Sequence, residues 1–186
     1  MTLTLFPAGL NDLSFEIYKR ANQIYALNNG RTIEYKDFPK KLLDLIDAII
    51  DAKPKVKWAL KVLGIECKDQ ARIQFISCNM ANFDFTADVT ECLSKFTTEY
   101  VECNLRDTCP VQGKLCGSIE APNGELSLRQ LRIMGMIRKG LFDKEIAEAL
   151  FISSETVKTT KRNIQKTLQV ERKAMISSVA TVMQIN

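Results

Sequence analysis

Six cysteines and no histidine set the chemistry open to this 186-residue chain. Cys67, Cys78, Cys92, Cys103, Cys109 and Cys116 all lie in its middle third. Cys103-x5-Cys109-x6-Cys116 runs through Pro110, Gly113 and Gly117, residues that turn a chain enough for three thiolates to converge. With no histidine to complete a closed site, the fourth ligand must be another cysteine or a carboxylate. Cys78 is the choice, since it ends a predicted helix just before Phe83-Asp84, and Cys92 is the substitute. Thiolates suit zinc or a [4Fe-4S] cluster. The gaps are wider than those of paired Cys-x2-Cys knuckles, and the Cys109-Pro110 pair resembles some cluster-binding loops, so both cofactors stay open. Zinc would add folding free energy to a segment, Asn82 to Gly117, with little hydrophobic periodicity, whereas a cluster would act as a sensor. The plainer alternative is six reduced cysteines packing as small apolar residues.

The missing histidine also removes Ser-His-Asp and Cys-His relays, the two-histidine zinc-protease motif and a histidine phosphorelay on this chain. A metalloenzyme would need an open coordination position and a general base, and the sequence offers neither. The expectation is a protein that is not an enzyme.

A second chemistry lies in the basic end of the chain. Residues 125–186 hold eleven Lys and Arg against six Asp and Glu, while the remainder is close to neutral. Lys158, Arg162 and Lys166 recur at intervals of four, with Thr159, Lys161, Asn163 and Gln165 beside them. On a helix they form one cationic face that fits a DNA major groove, where Lys and Arg neutralise phosphates or reach guanine and Asn or Thr reads adenine or thymine. The elements that must hold this face are legible. Ser127 and Gln130 form a capping box ahead of Leu128, Leu131, Met134 and Ile137, and Gly140 closes that helix. Asp143 is expected to cap a short second helix with Ile146, Ala147 and Leu150 on one face. Phe151-Ile152-Ser153 makes a tight turn, and Ser153 caps a third helix to about Leu168 with Val157, Thr160, Ile164 and Leu168 inward. Two helices joined by such a turn form a helix-turn-helix.

Leu126-Ser127-x-Arg129, Ile137 through Gly140-Leu141, Lys144-Glu145-Ile146-Ala147, Phe151-Ile152-Ser153 and Thr156-Val157-Lys158-Thr159 together resemble the LuxR/GerE-type DNA-binding domain. The resemblance covers the last third of the chain. It implies a four-helix domain of bacterial transcription regulators, the third helix in the major groove and the fourth often at a dimer contact. Carried over by position, Lys158, Thr159 and Arg162 would face bases with Asn163 near them, and Lys144, Ser154, Thr156 and Lys166 would approach phosphates. The sequence departs from the family at Gln130 and Arg132, where acids are usual, at Thr160, usually histidine, and at Gln169, often glycine. The segment Arg172 to Met183, with Met175, Val179, Val182 and Met183 on one face, supplies either core or a homodimer contact.

The remaining elements read as helices. Leu13, Ile17, Ala21, Ile24 and Tyr25 recur at three- and four-residue spacing, Asn28-Asn29-Gly30 breaks the pattern, and Leu42, Leu43, Ile46, Ile49 and Ile50 resume it. Pro54 opens a helix that stops at Gly64, and another runs from Asp69 to Met80. Strands do not alternate with helices and no acids gather at strand ends, which disfavours a phospho-acceptor receiver domain. The expected fold is mainly α: a helical regulatory domain, residues 1–120, with a cysteine-rich irregular metal-binding segment at about 78–117, then a helix-turn-helix domain, residues 125–186. No apolar run approaches the roughly 20 residues of a membrane span, and Met1 to Leu10 lacks the basic and apolar regions of a secretory signal. The expected protein is cytoplasmic, binds double-stranded DNA as a transcription regulator, and homodimerises through its last helix. The competing reading is an interaction module that touches RNA polymerase or another regulator without strong DNA binding.

Overall fold

The computed structural model describes residues 6–105, 108–172, 174–183 and 185. Of the stretches read above, Met1 to Leu5, Arg106 and Asp107 between Cys103 and Cys109, Lys173, Gln184 and Asn186 lie outside the described residues. The chain divides into two compact units, Met1–Cys116 and Gly117–Asn186.

The first unit opens on an antiparallel meander of β1 (Glu16–Arg20), β2 (Gln23–Asn28) and β3 (Arg31–Glu34), which corrects both the helix expected from Leu13 to Tyr25 and the wholly helical first domain. The turns decide it. Arg20 pairs with Gln23 and Asn28 with Arg31, so each hairpin leaves two residues to reverse the chain. Ala21 and Asn22 (φ 48° and 66°) and Asn29 and Gly30 (φ 49° and 71°) all take the left-handed conformation whose twist matches that of paired strands. Ile17 and Ala26 face each other in the core, while the paired Tyr18 and Tyr25 stack on the opposite face with centroids 5.7 Å apart. A three-to-four spacing of apolar residues was present, but β-branched and aromatic residues around an Asn-Gly turn outweigh it.

Three helices follow: α1 (Lys40–Ala52), α2 (Pro54–Val62) and α3 (Lys68–Asn79). Leu42, Ile46 and Ile50 of α1 meet Val56, Ala59 and Leu60 of α2 and Phe75 and Ile76 of α3 in one core with the sheet. Arg72 on α3 clamps α1 by two hydrogen bonds to the Asp47 carboxylate, at 2.8 and 2.6 Å, which holds that carboxyl below its usual range.

The described residues between 80 and 116 carry almost no regular structure, and buried polar side chains tie them down where a hydrophobic repeat is missing. Val89 bridges to Phe15 and to Phe96. The Asp88 carboxylate accepts from the Ile17 amide at 2.6 Å, Glu16 accepts from the Asp84 amide, and Glu99 accepts twice from Asn82, at 2.7 and 2.9 Å. Val111 and Leu115 close the core beneath the cysteine segment. Glu16, Asp84, Asp88 and Glu99 therefore share one patch. Burial raises all four carboxyls, Glu16 to about 9 and Glu99 to about 7. One oxygen of Glu16 has no hydrogen-bond partner among the described residues, which suits a neutral acid better than a buried carboxylate.

The second unit begins with a hairpin, β4 (Ile119–Ala121) and β5 (Gly124–Leu126), so the turn at Pro122-Asn123 belongs inside this unit and does not link the two. Then come α4 (Leu128–Arg138), α5 (Asp143–Ala149), α6 (Ser154–Leu168) and α7 (Ala174–Val182). The Ser127–Gln130 capping box is formed in both directions, and Gly140 has φ 84°. Asp143 does not cap α5. It is the first residue of that helix, and the Phe142 amide donates instead to the Glu145 carboxylate at 2.6 Å. The Ser153 hydroxyl accepts from the Thr156 amide at 3.1 Å and caps α6. Gln169 ends α6 at φ 55°, ψ 39°, the left-handed position where glycine is at ease, and the Val170 amide reaches back to the Gln165 carbonyl.

Two predictions follow from these local conformations. Gln169 is exposed, so its side chain offers little against the backbone strain of its left-handed conformation. Gln169→Gly is expected to stabilise the second unit by about 1 kcal/mol in denaturant unfolding followed by circular dichroism, and Gln169→Val to destabilise it. The first unit should respond to pH in the opposite sense to ordinary acid denaturation. Glutamates whose folded pKa lies above the ordinary 4.5 contribute stability that is complete below that value and is lost as pH rises through about 7 for Glu99 and about 9 for Glu16. Melting followed by Trp58, the single tryptophan, should fall over that range, and Glu99→Gln should flatten its lower part.

Candidate nucleic-acid interface

The face that α6 offers to solvent is fixed by the face it buries. Val157, Ile164 and Leu168 are buried against the unit's own core with Ile146, Leu131 and Met134. Thr160, expected inward with them, is half-buried and returns its hydroxyl to the Thr156 carbonyl at 2.8 Å. Lys158, Thr159, Arg162, Asn163 and Lys166 are all exposed, as are Thr156 at the start of α6 and Lys144 on α5, and Ser154 is half-exposed. The proposed base readers and phosphate contacts thus stand on the outer face and amino-terminal turn of a single fifteen-residue helix, with Lys144 on the helix before it. The helix amino terminus adds its own partial positive charge beside Ser154 and Thr156.

Three features of this surface were not anticipated. Lys161, grouped with the outward cations, instead reaches α5 and pairs with Asp143 at 2.7 Å, both side chains largely covered. That pair fixes the approach of α5 to α6, which is the work Asp143 does in place of capping. Glu155 lies 3.4 Å from Lys158 and 4.0 Å from Arg162, an exposed anion between two cations. Phe151 takes φ 52° in the turn and is 96% exposed, at the rim of a groove shared with Lys144 and Ser154. Glu155 could have been found in the sequence from its i,i+3 spacing to Lys158. Lys161–Asp143 could not, because it depends on how two helices cross.

On α7 the buried residues are Ile176 and Ala180. The face read as core or dimer contact is different: Met175 is 44% exposed, Val182 is 75% exposed, and Val179 and Met183 are half-buried.

In the first unit, Cys78, Cys103, Cys109 and Cys116 line one cavity of about 600 Å³, with Cys103 exposed and the other three half-buried, and the exposed Cys67 and Cys92 do not line it. All six thiols are free. Cys78 comes from the last turn of α3 and the other three from the irregular segment. Burial pushes the Cys78 thiol up, a hydrogen bond from Gln74 opposes this, and the nearby Cys116, Cys103 and Cys109 add to the upward push. Among the described residues, no three Cys, Asp or Glu side chains stand close enough together to hold a metal ion as placed. Among those residues, too, no helix is long and apolar enough to cross a membrane.

Comparison with known proteins places the second unit. Residues 124–180 match the family model described as bacterial regulatory proteins, luxR family. The chain is 38% identical over 79 residues to the oxygen regulatory protein NreC of Staphylococcus carnosus (strain TM300), an alignment covering 42% of this chain and 35% of that relative. No solved structure matches. The matched stretch runs from β5 through α4, α5 and the turn at Phe151 to α6 and most of α7, and residues 124–180 of this chain are a helix-turn-helix domain of the luxR family.

Proposed function

We propose that this protein is a sequence-specific, double-stranded-DNA-binding transcription regulator that inserts α6 into the major groove. The observation that carries the reading is the exposed row Lys158, Arg162 and Lys166 on a helix whose opposite face is locked into its own core. Lys158, Thr159 and Arg162 lie against base edges with Asn163 beside them, and Lys144, Ser154, Thr156 and Lys166 hold phosphates. A second copy of the chain docks through the Met175–Val179–Val182 face of α7, which the domain leaves largely uncovered, so two recognition helices meet half-sites about 10 base pairs apart or a multiple of that. The first unit sets the activity of the second through a thiolate centre at Cys78, Cys103, Cys109 and Cys116. The luxR family match and the regulatory role named for the relative support a transcription regulator, and both lie in the C-terminal part of the chain.

The double variant Lys158→Ala, Arg162→Ala is expected to lower affinity for a selected duplex by about thirtyfold or more and to reduce the slope of log affinity on log salt by about 2. Absent duplex binding by the unmodified protein, or binding that survives the double change with the same slope, would overturn the reading in favour of a module that contacts RNA polymerase or another regulator. Val182→Glu is expected to give a monomer in sedimentation while leaving the helical circular dichroism unchanged, since Val182 is 75% exposed in the single chain. A dimer that persists in that variant places the contact elsewhere.

A further inference from the structure

The turn between α5 and α6 carries a side chain for which the fold itself has no use. Two backbone hydrogen bonds close α5 there, from the Phe151 amide to the Glu148 carbonyl at 3.2 Å and from the Ile152 amide to the Ala147 carbonyl at 2.9 Å. Such a closure asks for one residue in the left-handed conformation, and glycine supplies it without strain. Phe151 supplies it instead, at φ 52°. A bulky ring in that conformation is strained, and burial does not offset the strain, because the residue is 96% exposed. Strain held at a surface position, with nothing gained inside the molecule, points to a gain outside it.

The surroundings of the ring say what it meets. Phe151 shares its groove with Lys144 and Ser154, two of the side chains assigned above to phosphates, so the ring continues that surface into the turn ahead of α6. Glu148 lines the same groove and is exposed. Its carboxylate repels a further phosphate, which leaves the uncharged part of a duplex backbone, the deoxyribose, as the group that suits this side of the groove. A protein partner suits it less. The rest of the lining is short or polar apart from the half-buried Ile152, so the ring stands alone and lacks the apolar neighbours that form the centre of a protein interface.

Resting on the reading of α6 as the helix that enters DNA, we propose that the Phe151 ring packs against a deoxyribose of the duplex backbone, next to the phosphate held by Lys144 and Ser154. The contact is uncharged and indifferent to sequence. It adds affinity to every duplex alike and seats the turn, so that α6 meets the bases from a fixed height.

The test measures binding of the full chain to the selected duplex and to an unrelated one over a range of salt concentrations. Phe151→Gly removes the ring and adopts φ 52° without strain, so the second unit should melt no lower than before. Affinity is expected to fall about fivefold for both duplexes, with the slope of log affinity on log salt unchanged, because no charge is lost. Phe151→Lys is expected to steepen that slope by about 1, since an ammonium placed against the backbone releases one more counterion. Full affinity in the glycine variant, or an unaltered slope in the lysine variant, would overturn the assignment. A glycine variant that binds duplex fully but loses a complex with RNA polymerase places the ring on protein instead. If the glycine variant fails to fold, the slope of the lysine variant decides. The two readings fail separately: no duplex binding by the unmodified chain removes the regulator and this contact with it, whereas loss on Lys158→Ala, Arg162→Ala without loss on Phe151→Gly removes only the contact.

Discussion

A helix that must read another molecule has to be held from behind, and the second unit is organised around that requirement. α6 buries Val157, Ile164 and Leu168, half-covers Thr160 and Lys161, and exposes Lys158, Thr159, Arg162, Asn163 and Lys166. This division leaves one rotation of the helix about its axis, so the exposed row is set by packing and not by the cations themselves. The Lys161–Asp143 pair then removes the remaining freedom, because a charge bridge between α5 and α6 resists sliding of one along the other. Recognition chemistry on the outer face is a by-product of apolar burial on the inner one.

The second unit was readable because its signals are local. Ser127 with Gln130, Gly140, and Ser153 ahead of Thr156 each specify a helix end through hydrogen bonds within a few residues, and each bond is present. Asp143 shows the limit: an acid at a helix start has two ways to be useful, and only the position of Lys161 in space decides between them. Gln169 shows that a glycine position can be kept by backbone geometry when the glycine is gone.

The first unit was only half legible. α1 and α2 follow from apolar spacing and from Pro54 at a helix start. The meander was missed because the same apolar residues satisfy a helical period and a strand period, and the discriminating feature, Asn29-Gly30 with left-handed φ at both residues, was taken as a helix breaker when it is a hairpin turn. Residues 80–116 were illegible for a different reason. Their order rests on contacts such as Asp88 to Ile17 and Glu99 to Asn82, which join distant parts of the chain and leave no periodic trace. The gathering of four cysteines on one cavity depends on that same long-range scaffold.

Glu155 gives the exposed face of α6 a property that a bare cationic helix lacks. Its tether keeps an anion beside Lys158 and Arg162 at constant local concentration, through ion pairs weak enough to exchange quickly. For a helix that searches along DNA, landing on an arbitrary stretch then swaps one anion for another and gains little. Lys158 and Arg162, the side chains proposed against base edges, must likewise leave Glu155 before they can reach a base. On such a helix a single carboxylate weakens every landing, so that only a contact better than its own ion pairs keeps the two cations away from it.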